Sequence, residues 1–202
     1  MSSITLAFGR PTLADRIFSR SLATDLVLIA AGTAFTAVMA QLFIPIQPVP
    51  ITGQTVAVLI VGSTLGAARG ALSMTLYAVL GLFLPIYSDA SSGWAVLSGA
   101  TGGYIVGFIA SAALTGWLAQ RQWDHKIFGG IASFLAGTAV TFVFGMAWLA
   151  FALGLDLEQT LAFGLYPFVV FGVVKAVFSA AVMRLIWLGV NRSDARKTPD
   201  AA

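Results

Sequence analysis

The sequence predicts an all-α integral membrane protein with six transmembrane helices and both termini cytoplasmic. Three observations carry this expectation. Hydrophobic residues fill 58% of the 202 positions and charged residues only 9%, with a mean hydropathy of +0.92. A soluble domain, at about 25% charged residues, could not cover its surface with so few. The apolar runs are of helix length, not alternating segments of about ten residues, which favours a helical bundle over an outer-membrane barrel. Finally, the cations collect in alternate loops, as they do in cytoplasmic loops.

Six spans are expected at about 24–44, 54–68, 70–85, 95–119, 127–154 and 162–190. They divide the chain into an N-terminal segment (1–23), one membrane domain (24–190) and a cytoplasmic tail (191–202). Arg10, Arg16 and Arg20 precede an apolar stretch over 26–44. That stretch is longer than the ~7–15 residues of a secretion-signal core, so it reads as a retained helix. Before it, Thr12 and Asp15 have capping-box-like spacing, and Leu13, Ile17 and Phe18 share a face, which predicts a short interfacial helix at 12–20. The second and third spans are short: some 15 residues reach ~22 Å against ~30 Å of hydrocarbon. A re-entrant hairpin would place Arg69 near the midplane, whereas two spans put it at a water interface, and two spans are expected.

Arg10, Arg16, Arg20, Arg69, Arg121, Lys126, Arg184, Arg192, Arg196 and Lys197 then lie on one side. The opposite loops, 45–53, 86–94 and 155–161, hold Asp89, Asp156 and Glu158 and no cation. The net charge of +3 and pI near 9.6 follow from this bias and call for no nucleic-acid partner. With no cysteine and one histidine, the chain offers no disulfide framework and no His pair for zinc. No metal, cofactor or catalytic residue is expected. An enzyme would need paired acid and base groups, yet the only ionisable residue deep within a span is Lys175, with Asp25 near a helix end.

Lys175 interrupts the apolar run Leu161–Met183. A cation there costs about 2.5–3.5 kcal/mol on insertion scales and normally faces a protein interior or watery cavity. It either binds a ligand or snorkels to the headgroups. Three segments on the outer side carry further polar chemistry. In Ile44–Thr55, three prolines within six residues forbid helix, and Thr52, Gln54 and Thr55 then enter a membrane helix, as ligand contacts or as a cap. Leu84–Trp94 reads as a lid of small residues containing Asp89 and ending in Trp94, which either stacks on a ligand or anchors at the interface. Gly99-Ala100-Thr101-Gly102-Gly103-Tyr104 lets the backbone approach a helix or a ligand closely. Ala30-x-x-x-Ala34 and Thr33-x-x-x-Ala37 are small-residue stripes for internal packing or for docking a second membrane subunit, including a second copy of the chain.

The stretch PVPITGQTVAVLIVGSTLGAARGALSMTLYAVLGLFLPIY, followed by GATGGYIVGF and PFVVFGVVKA, resembles the BioY family over roughly residues 26–185. These proteins are the biotin-binding S-components of energy-coupling-factor (ECF) vitamin transporters. The resemblance implies a six-helix subunit of the bacterial cytoplasmic membrane that binds biotin from outside. Its partners would be a transmembrane coupling protein and two ABC ATPases, with docking through a small-residue face such as that of Ala30 and Ala34. The chain contains no phosphate-binding G-x-x-x-x-G-K-[ST] loop, in keeping with ATP hydrolysis by a partner. The implied pocket is lined by Thr52, Gln54, Trp94, Thr101, Gly102, Tyr104 and Lys175, with Asp89 a candidate acid. One departure stands out. The family's last motif commonly carries an Asp three residues before the Lys, where this chain has Gly172. A different small molecule or vitamin is therefore the alternative substrate.

Overall fold

The computed structural model describes residues 10–197, with side chains described through Arg192. The ends of the expected N-terminal segment and tail, 1–9 and 198–202, lie outside the described residues. The chain is mostly helical: α1 (Leu13–Ile17), α2 (Leu22–Ala40), α3 (Gln54–Leu65), α4 (Ala67–Leu80), α5 (Trp94–Ser98), α6 (Gly102–Gln120), α7 (Ile127–Leu153), α8 (Leu157–Gly164) and α9 (Tyr166–Lys197). Between α2 and α3, two-residue strands β1 (Phe43–Ile44) and β2 (Ile51–Thr52) pair antiparallel, Phe43 with Thr52 and Ile44 with Ile51.

Among the described residues, four helical segments are long and apolar enough to cross a bilayer: α2, α6, α7 and residues Tyr166–Arg192 of α9. Helices α3 and α4 are apolar but shorter, 12 and 14 residues, or ~18 and ~21 Å at 1.5 Å per residue. The expected fourth span does not begin at 95. It is broken at Gly99–Thr101 into α5 and α6, and Trp148 Nε1 donates to the Gly99 carbonyl at the break (3.0 Å). Helix α8, capped by Asp156 accepting from the Gln159 N–H at 2.8 Å, is a separate element ahead of α9.

Helix α6 is the centre of the bundle, packing against α3, α4 and α7. Two-thirds of its membrane window is buried, against about a third for the other three long segments. Small residues permit this. A Cβ on Gly107 would meet the Thr141 backbone of α7 at 3.1 Å, and one on Gly103 would run into Trp148 and Phe144. In a membrane, where packing replaces hydrophobic burial as the force between helices, such contact is the main cohesive term.

Arg69 is not at water. It sits in the first turn of α4, 2% exposed, and donates to Asp25 of α2 (3.2 Å), Asp15 of α1 (2.9 Å), the Thr12 hydroxyl (3.2 Å) and the Leu65 carbonyl (2.8 Å). Asp15 also accepts from the Thr12 N–H (3.0 Å) and from Arg20 (3.0 Å). Burial opposes ionisation of Asp15, but these hydrogen bonds and the Arg69 charge outweigh it and hold the carboxyl below its usual range. The predicted interfacial helix is thus α1, clamped to α2 and α4.

A second cluster ties α3 and α9 to the α6–α7 loop. Asp124, 2% exposed, accepts from Ser63 (3.1 Å) and from Trp187 Nε1 (2.8 Å). His125 stacks on Trp187 at 3.9 Å, and Arg184 donates to its carbonyl at 2.6 Å. Burial pushes the Asp124 carboxyl up and the His125 imidazole below 6.5.

Candidate binding site

The β1–β2 hairpin, with Pro45, Pro48 and Pro50 around its bend, closes one end of the bundle over a cavity. The cavity has a free volume of about 60 Å³ inside an open concavity of about 720 Å³. Its walls come from the hairpin (Val49, Pro50, Thr52), α3 (Gln54, Thr55), the 84–94 loop (Tyr87, Ser88) and the α5–α6 corner (Val96, Thr101, Tyr104). Helices α7 (Thr138, Thr141, Phe142) and α9 (Phe168, Phe171, Gly172, Lys175) complete them.

Lys175 lies three turns into α9 and reaches across to the start of α3. Its Nζ donates to the Thr52 carbonyl at 2.5 Å and to the Thr55 hydroxyl at 3.2 Å. The lysine therefore faces the protein interior and does not snorkel. Around it runs a hydrogen-bonded chain: the Thr52 hydroxyl donates to Gln54 Oε1 (2.7 Å), Gln54 Nε2 donates to the Tyr77 hydroxyl (2.5 Å), and Tyr77 donates to the Ile86 carbonyl (3.2 Å). This chain joins the lysine's floor to the outer loop. An amide has two N–H donors, and the bond to Tyr77 uses one of those on Gln54.

The other wall is aromatic. Tyr104 is 7% exposed and donates to the Gly164 carbonyl at 2.9 Å. Its ring stands 6.2 Å from Phe142 and 6.5 Å from Phe168. Between the two walls, Thr138 and Thr141 are bonded to carbonyls of their own helix, Phe134 O at 2.8 Å and Gly137 O at 3.2 Å. An apolar box with a few convergent polar groups is the general form of a small-molecule site.

Of the residues singled out by sequence, Thr52, Gln54, Thr101, Tyr104 and Lys175 meet at this cavity. Three do not. Trp94 is 71% exposed at the start of α5 and forms no part of the wall. Asp89 is exposed on the outer face of its turn, leaving Ser88 and Tyr87 to line the cavity. Gly102 is buried where a Cβ would collide with the Leu97 carbonyl, so its task is the tight α5–α6 corner. The 84–94 loop is also better held than its composition suggests. Tyr87 is buried with its hydroxyl on the Ala78 carbonyl (2.6 Å), while Gln41 donates to the Tyr87 carbonyl (2.9 Å) and accepts from the Ala90 N–H (3.0 Å).

Most of the length of this architecture has counterparts. The BioY family profile matches residues 11–192. The chain belongs to the BioY family. Among its relatives, "Biotin transporter BioY" of Thermotoga maritima is 36% identical, over 82% of this chain and 98% of that protein. "Biotin transporter BioY2" of Lactococcus lactis is 35% identical, over 80% and 91%. A crystal structure of "the S-component for biotin from an ECF-type ABC transporter" superposes with a TM-score of 0.74 at 27% identity, covering 81% of this chain and 90% of that one. BioY proteins are transporter subunits, not enzymes.

Proposed function

We propose that the protein is the substrate-binding membrane subunit of a biotin uptake system. The observation that carries this reading is Lys175, a cation in a long apolar helix, held at a concave cavity lined by aromatic rings and hydroxyls. The biotin transporter names of its BioY relatives support the ligand. Lys175 takes the anionic or carbonyl end of biotin. Tyr104, with Phe142 and Phe168, packs on the fused rings, and Gln54, Thr52 and Thr101 satisfy polar edges that would otherwise stay unpaired. The free volume is small, so loading requires the hairpin and the 84–94 loop to shift outward.

Residues 24–190 form the membrane domain, with six spans: α2, α3, α4, α6, α7 and α9. Helices α3 and α4 are read as two short spans, and the outer loops dip in to meet them. Contacts at the other end gather the cations, Arg20 and Arg69 on Asp15, Arg184 on the His125 carbonyl, and Arg121 over the Trp117 ring. This supports a cytoplasmic side there, with both termini on it, in the bacterial cytoplasmic membrane. On α2, Gly32, Thr33 and Thr36 turn inward, and Thr33 donates to the Ser73 carbonyl at 2.9 Å, whereas Ala30 and Ala34 are exposed. That exposed face is the docking surface for the ECF coupling protein, through which two ABC ATPases supply energy.

The test is Lys175→Ala, reconstituted and titrated with biotin. Affinity falls by about tenfold or more, as expected for loss of a charge-assisted hydrogen bond, while the folded yield is unchanged. Unaltered binding removes the lysine from the site.

A further inference from the structure

We infer that the ligand's own carboxylate is the counter-ion of Lys175, so that the site selects a monoanion over its neutral esters and amides. The inference rests on the biotin reading and decides which end of the ligand meets the lysine.

The wall of the cavity contains no carboxylate. Apart from Lys175, its ionisable side chains are Tyr87 and Tyr104, each with its hydroxyl donating to a backbone carbonyl. Asp89, Asp156 and Glu158 are all exposed and none lines the cavity. Among the described residues, Lys175 itself bonds only to neutral acceptors, the Thr52 carbonyl and the Thr55 hydroxyl. An ammonium has three donors, so one remains. A half-buried cation whose charge is matched by nothing nearby is costly, and an anion delivered by the ligand offsets that cost where a neutral group cannot.

The missing charge is a property of the sequence and not of the space. Gly172 is on the face of α9 that carries Lys175, three residues earlier. A Cβ built there would lie 3.4 Å from Thr138 Cγ2 and 3.6 Å from Phe142 Cε2, ordinary contact distances. A Cβ fits there without a clash, so a side chain could start beside the lysine, and this chain has none. An Asp at that position would neutralise the lysine from within the protein, whereas with Gly172 the neutralising charge comes from the substrate. Sites built around one polar partner reject analogues that lack it far more strongly than they reject changes in size.

The test is calorimetric titration of the full-length detergent-solubilised protein with biotin, biotin methyl ester and biotin primary amide at neutral pH. The ester and amide are expected to bind at least about tenfold more weakly than the acid. In Lys175→Met that gap closes because all three bind weakly. In Gly172→Asp it closes because the acid loses its advantage. Equal affinity for acid and amide in the wild-type protein overturns the inference and leaves the biotin reading standing. Failure of all three to bind a folded sample overturns both. The wild-type comparison needs no variant, so a substitution that fails to fold does not shield the inference.

Discussion

Arg69→Met tests how far this bundle depends on a buried ionic cluster at the end away from the hairpin and its cavity. The substitution keeps the apolar stem and removes the guanidinium fork. Arg69 and its two carboxylate partners are all essentially inaccessible, with side-chain exposures of 2% for Arg69, 2% for Asp15 and 0% for Asp25. Removing one partner from such a group strands the others as buried charge, which costs about 3–5 kcal/mol. Arg20 is the internal control. It bonds the same Asp15 at 3.0 Å but is 35% exposed, and Arg20→Ala should cost about 0–1 kcal/mol. Asp25→Leu placed on top of Arg69→Met should recover part of the loss, because replacing a buried pair by apolar groups is far less damaging than breaking it. Unfolding by SDS in mixed micelles, followed by circular dichroism, measures all four proteins. If Arg69→Met unfolds together with Arg20→Ala, the cluster does not hold α1, α2 and α4 together and the argument fails.

Trp94→Ala should change biotin affinity by less than about twofold, since the side chain lies outside the cavity; a large loss by titration would bring Trp94 into the bound state after all. Ala30→Leu with Ala34→Leu should leave biotin binding intact while abolishing co-purification with the coupling protein and ATPases, because the added bulk falls on the exposed face of α2. The pH dependence of stability should carry a His125 component. The folded protein holds the imidazole below 6.5, so it binds fewer protons there than the unfolded chain. Stability is then complete above about pH 6.5 and declines as pH falls below it. His125→Gln should flatten that decline between pH 7.5 and 5.5 in a thermal-shift series, and an unchanged slope would assign it elsewhere.

Hydropathy and charge were enough to locate α2 and α7 to within four residues at each end, while the start of α6 and the end of α9 were each missed by seven, because a bilayer demands contiguous apolar length and says little about where a helix breaks or runs on. The proline run likewise announced non-helical backbone, and it became the hairpin. Lys175 stood out because its cost in an apolar helix needs a reason. Features formed by distant residues were less visible. Asp15 and Asp25 lie 54 and 44 positions from Arg69, so the burial of that arginine has no local signature. Tyr77 and Tyr87, edge to face at 5.5 Å, sit on either side of a turn whose closure the sequence does not reveal. Thr138 and Thr141 read as small residues in an apolar helix, since their hydroxyls bond within their own turn. The interruption at Gly99–Thr101 was masked by apolar residues on both sides. The one signal was the glycine cluster itself, which has a close-packing reading as well.

The most direct test of the central claim is calorimetric titration of the purified, detergent-solubilised protein with biotin, beside an analogue that lacks the ureido ring. Saturable binding of biotin at one site, lost with the ureido ring and weakened by Lys175→Ala, is the predicted result. A folded sample that takes up neither compound would contradict the account and leave the cavity around Lys175 to another ligand.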